Sequence, residues 1–299
     1  MKSVCILMST YNGENFLREQ LDSLFQQTYS DLNIVVRDDG STDSTLQLLQ
    51  EYAEKYPNLH YYKGENLKPA HSFLDLMRHA PQSDYYSLCD QDDVWQNDKI
   101  SVAINMLNSQ HADLYFSSYT IVNKDLAILK ENIQKPVMRT LGQALVFASV
   151  TGCTMVFTKK LLEIVNSYSP TKIMMHDSWI YKIALAMEYN ICYDDKSHIL
   201  YRQHGNNVIG SHKSWLQIWE SRIKRLFKES RLRYDESESL YKGYAHLLSP
   251  RQLKYLELLI DYYKKSIWDR FRIAFSKNYQ TNILNKDILF KIAILCKRY

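Results

Sequence analysis

No stretch of this 299-residue chain approaches the roughly 18 consecutive apolar residues that a membrane-spanning helix needs. The N-terminal run Val4-Cys5-Ile6-Leu7-Met8 is also too short for the core of a signal peptide, so the chain is expected to be soluble or bound only at a membrane surface. Cysteine is sparse. Cys5, Cys89, Cys153, Cys192 and Cys296 make an odd number without a Cys-x-x-Cys pair, which argues against a disulfide framework or a zinc site and fits a reducing cytoplasm. Neither Gly-x-Gly-x-x-Gly nor Gly-x-x-x-x-Gly-Lys occurs, which excludes a Rossmann dinucleotide fingerprint and a P-loop. A phosphate site here must therefore rely on metal.

What is present is the composition of a globular protein, 45% apolar and 23% charged. The net charge of +4 conceals a division along the chain. Residues 1–211 hold 18 Lys and Arg against 24 Asp and Glu, a net of −6, whereas residues 212–299 hold 19 against 9, a net of +10. The expected organisation is a mildly acidic body, 1–211, made of a nucleotide-binding half (1–95) and an acceptor half (96–211), followed by a basic region, 212–299, that meets something anionic.

Residues 4–8 read as a buried parallel strand that ends abruptly in Ser9-Thr10-Tyr11-Asn12-Gly13. Phe16, Leu17, Gln20, Leu21, Leu24 and Phe25 then form one helical stripe. A second strand, 33–37, runs into Asp38-Asp39-Gly40-Ser41-Thr42-Asp43, a glycine turn with helix-capping residues, and a helix is expected over 44–55. Strands at 59–62 and 85–89 with a helix over 70–79 continue the alternation, the signature of an α/β fold with a largely parallel sheet. In the second half, 113–122 and 155–157 read as strands. Thr151-Gly152-Cys153-Thr154 reads as a tight turn with Gly152 at positive φ.

The strand at 85–89 delivers Asp90-Gln91-Asp92-Asp93-Val94-Trp95. Carboxylates this close repel one another unless a cation or strong donors hold them. Asp90 and Asp92 have Asp-x-Asp spacing, and a cation shared with water and phosphate oxygens describes a Mg2+ or Mn2+ nucleotide site. The other reading is a solvated acidic turn before a helix that starts near Asn97. Asp177, in His176-Asp177-Ser178-Trp179, likewise reads as a helix cap or as a catalytic carboxylate, and His204 as structural or as a ligand.

A strand ending in Ser-Thr-Tyr-Asn, a second ending in Asp-Asp-Gly-Ser and a third delivering Asp-Gln-Asp-Asp near residue 90 together resemble a family 2 glycosyltransferase of the GT-A fold, over roughly residues 1–210. With Thr-Gly-Cys-Thr, His-Asp-Ser-Trp and Tyr-Arg-Gln-His-Gly-Asn-Asn, the chain is further similar to bacterial rhamnosyltransferases of surface polysaccharide assembly. The resemblance implies a GT-A domain carrying a basic helical extension, and an inverting, metal-dependent transfer of a sugar. The implied donor is dTDP-L-rhamnose or another UDP- or dTDP-sugar, and the implied acceptor a glycan or lipid-linked glycan. It implies that Thr10 and Tyr11 line the nucleotide, Asp39 reads the base, Asp90 holds the ribose side or a metal-bound water, and Asp92 binds the metal. Asp177 becomes the base for the acceptor hydroxyl, Arg202 a diphosphate contact and His204 a metal ligand.

Beyond residue 211, Leu216, Trp219, Ile223, Leu226 and Phe227 fall on one helical face, and Ile267, Trp268, Phe271 and Phe275 form a second apolar set among Lys264, Lys265, Arg270 and Arg272. A third apolar run spans 288–296. Such helices pack on the body or lie on anionic lipid, which would place the protein at the inner face of the plasma membrane. A homodimer through this region is another outcome. Nucleic-acid binding is not expected, since no motif accompanies the charge. A nucleotidyltransferase would need a glycine-rich basic phosphate loop that residues 9–13 lack, and a processive synthase would need membrane spans and Gln-x-x-Arg-Trp. A non-catalytic GT-A-like scaffold is the alternative from another class.

Overall fold

The computed structural model describes residues 2–203 and 231–299. It divides into two compact units, each taken over its described residues. The first comprises Met1–Lys135, Val150–Asn166 and Tyr189–Ile209, and the second Pro136–Ser149, Ser167–Glu188 and Gly210–Tyr299. Segments 136–149 and 167–188, which precede residue 211 in sequence, thus cluster with the C-terminal helices.

The first unit is built on a sheet of β1 (Val4–Thr10), β2 (Leu32–Asp38), β3 (Leu59–Lys63), β4 (Tyr85–Cys89), β5 (Val94–Trp95), β6 (Leu114–Val122), β7 (Ile128–Ile133), β8 (Val156–Thr158) and β9 (Ile191–Arg202). The order is β3-β2-β1-β4-β8-β6-β9-β5, with β7 paired to β6. β1, β2, β3 and β4 are parallel, β8 runs against both β4 and β6, and β9 is parallel to β6. Most paired residues therefore lie in parallel ladders, as the βαβα pattern predicts.

Helices cover both faces because side chains alternate along each strand. Val4, Ile6 and Met8 join one core with Leu17, Leu21 and Leu24 of α1 (Leu17–Phe25), Leu49 and Tyr52 of α2 (Thr45–Lys55), and Ile100 and Ile104 of α4 (Lys99–Ser109). On the opposite face, Ser9 meets Ser72 of α3 (Lys68–His79), Oγ to Oγ at 2.6 Å, and α3 packs against α6 (Lys159–Asn166). The chain crosses outward from β1 to β2 and β3, then returns to set β4 on the other side of β1. This reversal between β1 and β4 makes the crevice in which α/β sheets hold ligands.

Three local features depart from the sequence reading. Residues 128–133, mostly exposed, form the edge strand β7, to which the sequence reading assigned no element. Residues 191–202 form one long strand, β9, only the end of which stands out in the sequence. Gly152 does not take a positive φ; it opens a right-handed 3-10 turn, Gly152–Thr154, closed by Thr154 N–H to Thr151 O (3.0 Å) and Met155 N–H to Gly152 O (2.8 Å).

The second unit contains α5 (Leu141–Val146), α7 (His176–Ala186), α8 (Leu232–Tyr244), α9 (Pro250–Ile260), α10 (Ile267–Ala274) and α11 (Leu284–Leu295). α10 and α11 take up the second and third expected apolar stretches. The first, at 216–227, lies outside the described residues.

Candidate active site

The C-terminal ends of the parallel strands converge. Thr10 pairs with Asp38 across β1 and β2, and Met8 with Cys89 across β1 and β4, so the loops 10–14, 38–45 and 90–93 open on one edge. The first two loops are stitched together. Asn12, at φ 48°, receives Thr42 N–H on its side-chain oxygen (2.9 Å) and gives its own N–H to Ser41 Oγ (2.8 Å), while Gly13 N–H reaches Thr45 Oγ1 (2.8 Å). The acidic loop is fastened to the first by Gln91. Its amide accepts Tyr11 N–H (2.8 Å) and donates to Tyr11 O (3.0 Å), imitating one rung of a sheet. A Cβ at Gly13 would sit 2.4 Å from Gln91 Oε1, so this pairing requires glycine there.

Asp38 and Asp39 are both buried. Asp38 organises its own turn, accepting N–H groups from Gly40 (3.2 Å) and Ser41 (2.9 Å) and the Thr10 hydroxyl (3.3 Å). Asp39 accepts Leu67 N–H (2.9 Å) and Lys68 N–H (3.0 Å) at the start of α3 and pairs with Arg37. Arg37 in turn reaches Asp75 (2.9 Å) and Glu65 O (2.8 Å). Thr10 is buried, while the Tyr11 ring stands 48% exposed beside the crevice.

In the acidic loop, Asp90 and Asp92 are half-buried and Asp93 is wholly buried. Burial pushes the Asp93 carboxyl well above the usual carboxylate range, and the charges of Asp92 and Asp90 push it further; Arg202 N–H, donating to Oδ1 at 3.1 Å, opposes them. Burial likewise raises the Cys153 thiol, and the charges of Asp93 and Asp90 push it further. Behind the loop, Lys99 is buried with its ammonium 3.2 Å from Ser87 Oγ and 3.4 Å from the centre of the Trp95 ring, and burial lowers its pKa to about 8. Among the described residues, ligand-capable atoms of Asp90, Asp93 and Cys153 lie within 4.8 Å of one another. A raised, buried thiol is a poor ligand for a hard cation, whereas the half-buried oxygens of Asp90 and Asp92 suit Mg2+ or Mn2+, and such an ion would relieve the repulsion they exert on Asp93. The donor set fits a hard divalent cation.

Arg202 ends β9, at the same edge, and is buried. Its Nε donates to Asp92 O (2.9 Å), its other nitrogens to Lys124 O and Glu19, and its plane lies 4.6 Å from the Phe16 ring. It thus clamps the acidic loop from behind. His204 lies outside the described residues.

Asp177 belongs to the second unit, in the first turn of α7, where it accepts Ser178 N–H at 2.6 Å. The helix cap is Met175, not Asp177. His176 is buried, and burial pushes its pKa down to about 3, so the ring is neutral near pH 7. The turn is held by Glu236 of α8, which accepts Met174 N–H (3.2 Å) and the Ser178 hydroxyl (3.4 Å) and pairs with Lys182.

Sequence reasoning missed Gln91, Lys99, Glu19 and Glu236. Gln91 and Lys99 lie within a few residues of Asp92, but their partners are tertiary; no spacing rule marks Glu19 or Glu236.

A parallel sheet with an acidic loop at the β1/β4 crevice and a mixed second half defines the architecture of GT-A glycosyltransferases. Residues 5–165 match the model of Glycosyl transferase family 2, and the chain belongs to that family. It is similar to the dTDP-rhamnosyl transferase RfbG of Shigella flexneri, 32% identical over 235 residues that cover 73% of this chain and 78% of that protein. Two solved structures share the fold. S. aureus TarS 1-349 in complex with UDP-GlcNAc has a TM-score of 0.58 at 17% identity, covering 99% of this chain and 91% of that one. The mannosyltransferase PcManGT from Pyrobaculum calidifontis, in complex with GDP-Man and Mn2+, has a TM-score of 0.54 at 20% identity, covering 100% and 88%. The chain is a glycosyltransferase.

Proposed function

We propose that this glycosyltransferase moves L-rhamnose from dTDP-rhamnose onto a growing bacterial surface polysaccharide, with inversion at the anomeric carbon. The observation that carries the reading is the acidic loop at the β1/β4 crevice, whose half-buried Asp90 and Asp92 have oxygen donors suited to a divalent cation. Support for the sugar comes from the similarity to a dTDP-rhamnosyl transferase. Among the alternatives, another UDP- or dTDP-sugar would use the same loop.

In this reading Asp92, with Asp90 on the ribose side and His204 as a further ligand, holds Mg2+ or Mn2+, which when bound offsets negative charge on the diphosphate. Thr10 and Tyr11 border the nucleotide, the exposed Tyr11 ring offering an aromatic face. Asp39 reads the base from the end of β2. Arg202 acts on the diphosphate through the loop it clamps. The acceptor hydroxyl oxygen forms its bond to the anomeric carbon as the bond from that carbon to the diphosphate oxygen breaks. Asp177 takes the hydroxyl proton and the nucleoside diphosphate leaves with the bonding pair. The acceptor is a lipid-linked glycan, met at the inner face of the plasma membrane.

Two substitutions test this assignment. Asp92→Asn is expected to weaken Mn2+ binding by calorimetry and to remove sugar transfer. Asp177→Asn should keep donor and metal affinity but lower kcat by at least about a hundredfold, the usual size of a general-base contribution. Unchanged transfer in Asp177→Asn would remove it from the mechanism.

A further inference from the structure

α10 is amphipathic in the inverse sense. It docks through Ile273 and Ala274, which are buried, while its larger apolar residues point away: Ile267 is 52% exposed, Trp268 75%, Phe271 47% and Phe275 46%. At 3.6 residues per turn these four positions share a single face about 100° wide. Phe271 and Phe275 stack at 4.3 Å, and Lys291 of α11 lies 4.6 Å from the Phe275 ring. Leu284, 77% exposed, precedes Lys291 by two helical turns and so falls on the same side of α11. Monomeric proteins seldom leave such a cluster in water, and each side chain here would gain by leaving it.

The charge around the cluster selects its occupant. Residues 261–299 carry nine Lys and Arg against three Asp, a net of +6. Lys264, Lys277, Arg272, Lys297 and Arg298 are exposed. Arg272 approaches Asp269 at 3.5 Å. A second copy would bring the same positive charge against this one, whereas an anionic bilayer offers acyl chains to the aromatic residues and headgroups to the cations. Trp and Phe with flanking basic residues are the side chains that lodge at that boundary.

We infer that the outward face of α10, with Ile267, Trp268, Phe271 and Phe275 and its basic surround, docks this protein on an anionic lipid surface. The inference deepens the membrane placement in the functional reading and rests on that placement alone, not on the donor.

The test is flotation of the full-length protein with vesicles of phosphatidylcholine alone and of equal phosphatidylcholine and phosphatidylglycerol. Wild type should float with the anionic vesicles, and less so at high salt. Trp268→Ser/Phe271→Ser/Phe275→Ser should lower the partition coefficient by at least about tenfold, equivalent to losing the burial of a single large side chain or more. Lys264→Glu/Arg272→Glu should reduce binding at low salt. Wild-type binding retained in full by the serine variant would overturn the inference, since the lipid contact would then lie elsewhere in the chain. So would a dimer by light scattering that the serine variant dissolves without any lipid binding, because a second copy would be the occupant. Donor turnover measured without vesicles reports separately: it should be equal in wild type and the serine variant, and its absence from both would sink the donor assignment while leaving the lipid result intact.

Discussion

Arg202 gives the nitrogens of its guanidinium to three parts of the chain, the Asp92 carbonyl, the Lys124 carbonyl and Glu19. Lysine has one nitrogen and no planar fork, so Arg202→Lys cannot satisfy all three. It is expected to cost about 1–3 kcal/mol by denaturant unfolding, the scale of a lost charge-assisted hydrogen bond, and to weaken donor binding through a loosened acidic loop. His198 is a second test at this scale. Its pKa is raised above the ordinary 6.5, chiefly by the Asp194 carboxylate 3.3 Å from Nε2, with burial opposing and Asp98 assisting. A raised folded-state pKa means protonation favours the fold: this contribution is complete below the unfolded value and is lost as pH rises through the folded one. The melting advantage of wild type over His198→Gln should therefore shrink as pH rises above the ordinary 6.5. A constant or growing advantage would contradict the ion-pair account. The sequence made the acidic residues visible because three carboxylates in four positions are conspicuous. It could not reveal that Asp93 faces inward beside Cys153, or that Arg202 is turned to the protein, because both depend on contacts made across more than fifty residues.

Among the elements, α7 depends on a partner distant in sequence. Lys182 and Glu236, 6% and 2% exposed at their side chains, join it to α8, and Glu236 also bonds Met174 N–H at the entry to the helix. Removing one member of a buried pair strands the other, at about 3–5 kcal/mol. Glu236→Gln should lower stability towards that range, whereas Lys182→Met/Glu236→Leu should recover much of the loss. Equal destabilisation in the single and double variants would show that the pair is not coupled. The strands and helices of the first ninety residues were legible because apolar runs and 3.6-residue stripes alternate cleanly there. β7 was not, since an edge strand exposed on both faces has no apolar period, and α8 was hidden by burying polar Glu236, Ser237 and Ser239.

At the scale of the molecule, the chain combines an acidic-loop α/β unit with a unit of helices rich in positive charge. Segments 136–149 and 167–188 cluster with the latter, so the residue expected to accept the proton, Asp177, and the loop expected to hold the metal are carried by different units. Such a division was out of reach from charge and periodicity, which follow the chain, whereas compactness follows contacts between its separated parts. Family membership and the α/β architecture were legible from three motifs in order, each at a strand end. The central claim is that the Asp90–Asp93 loop serves transfer from a nucleotide-linked sugar, and a panel of nucleotide sugars with Mn2+ or Mg2+ tests it most directly. Release of nucleoside diphosphate from dTDP-rhamnose, lost with chelator and in Asp92→Asn, is the predicted result; full turnover in Asp92→Asn, or none from any donor together with no nucleotide binding by calorimetry, would contradict it.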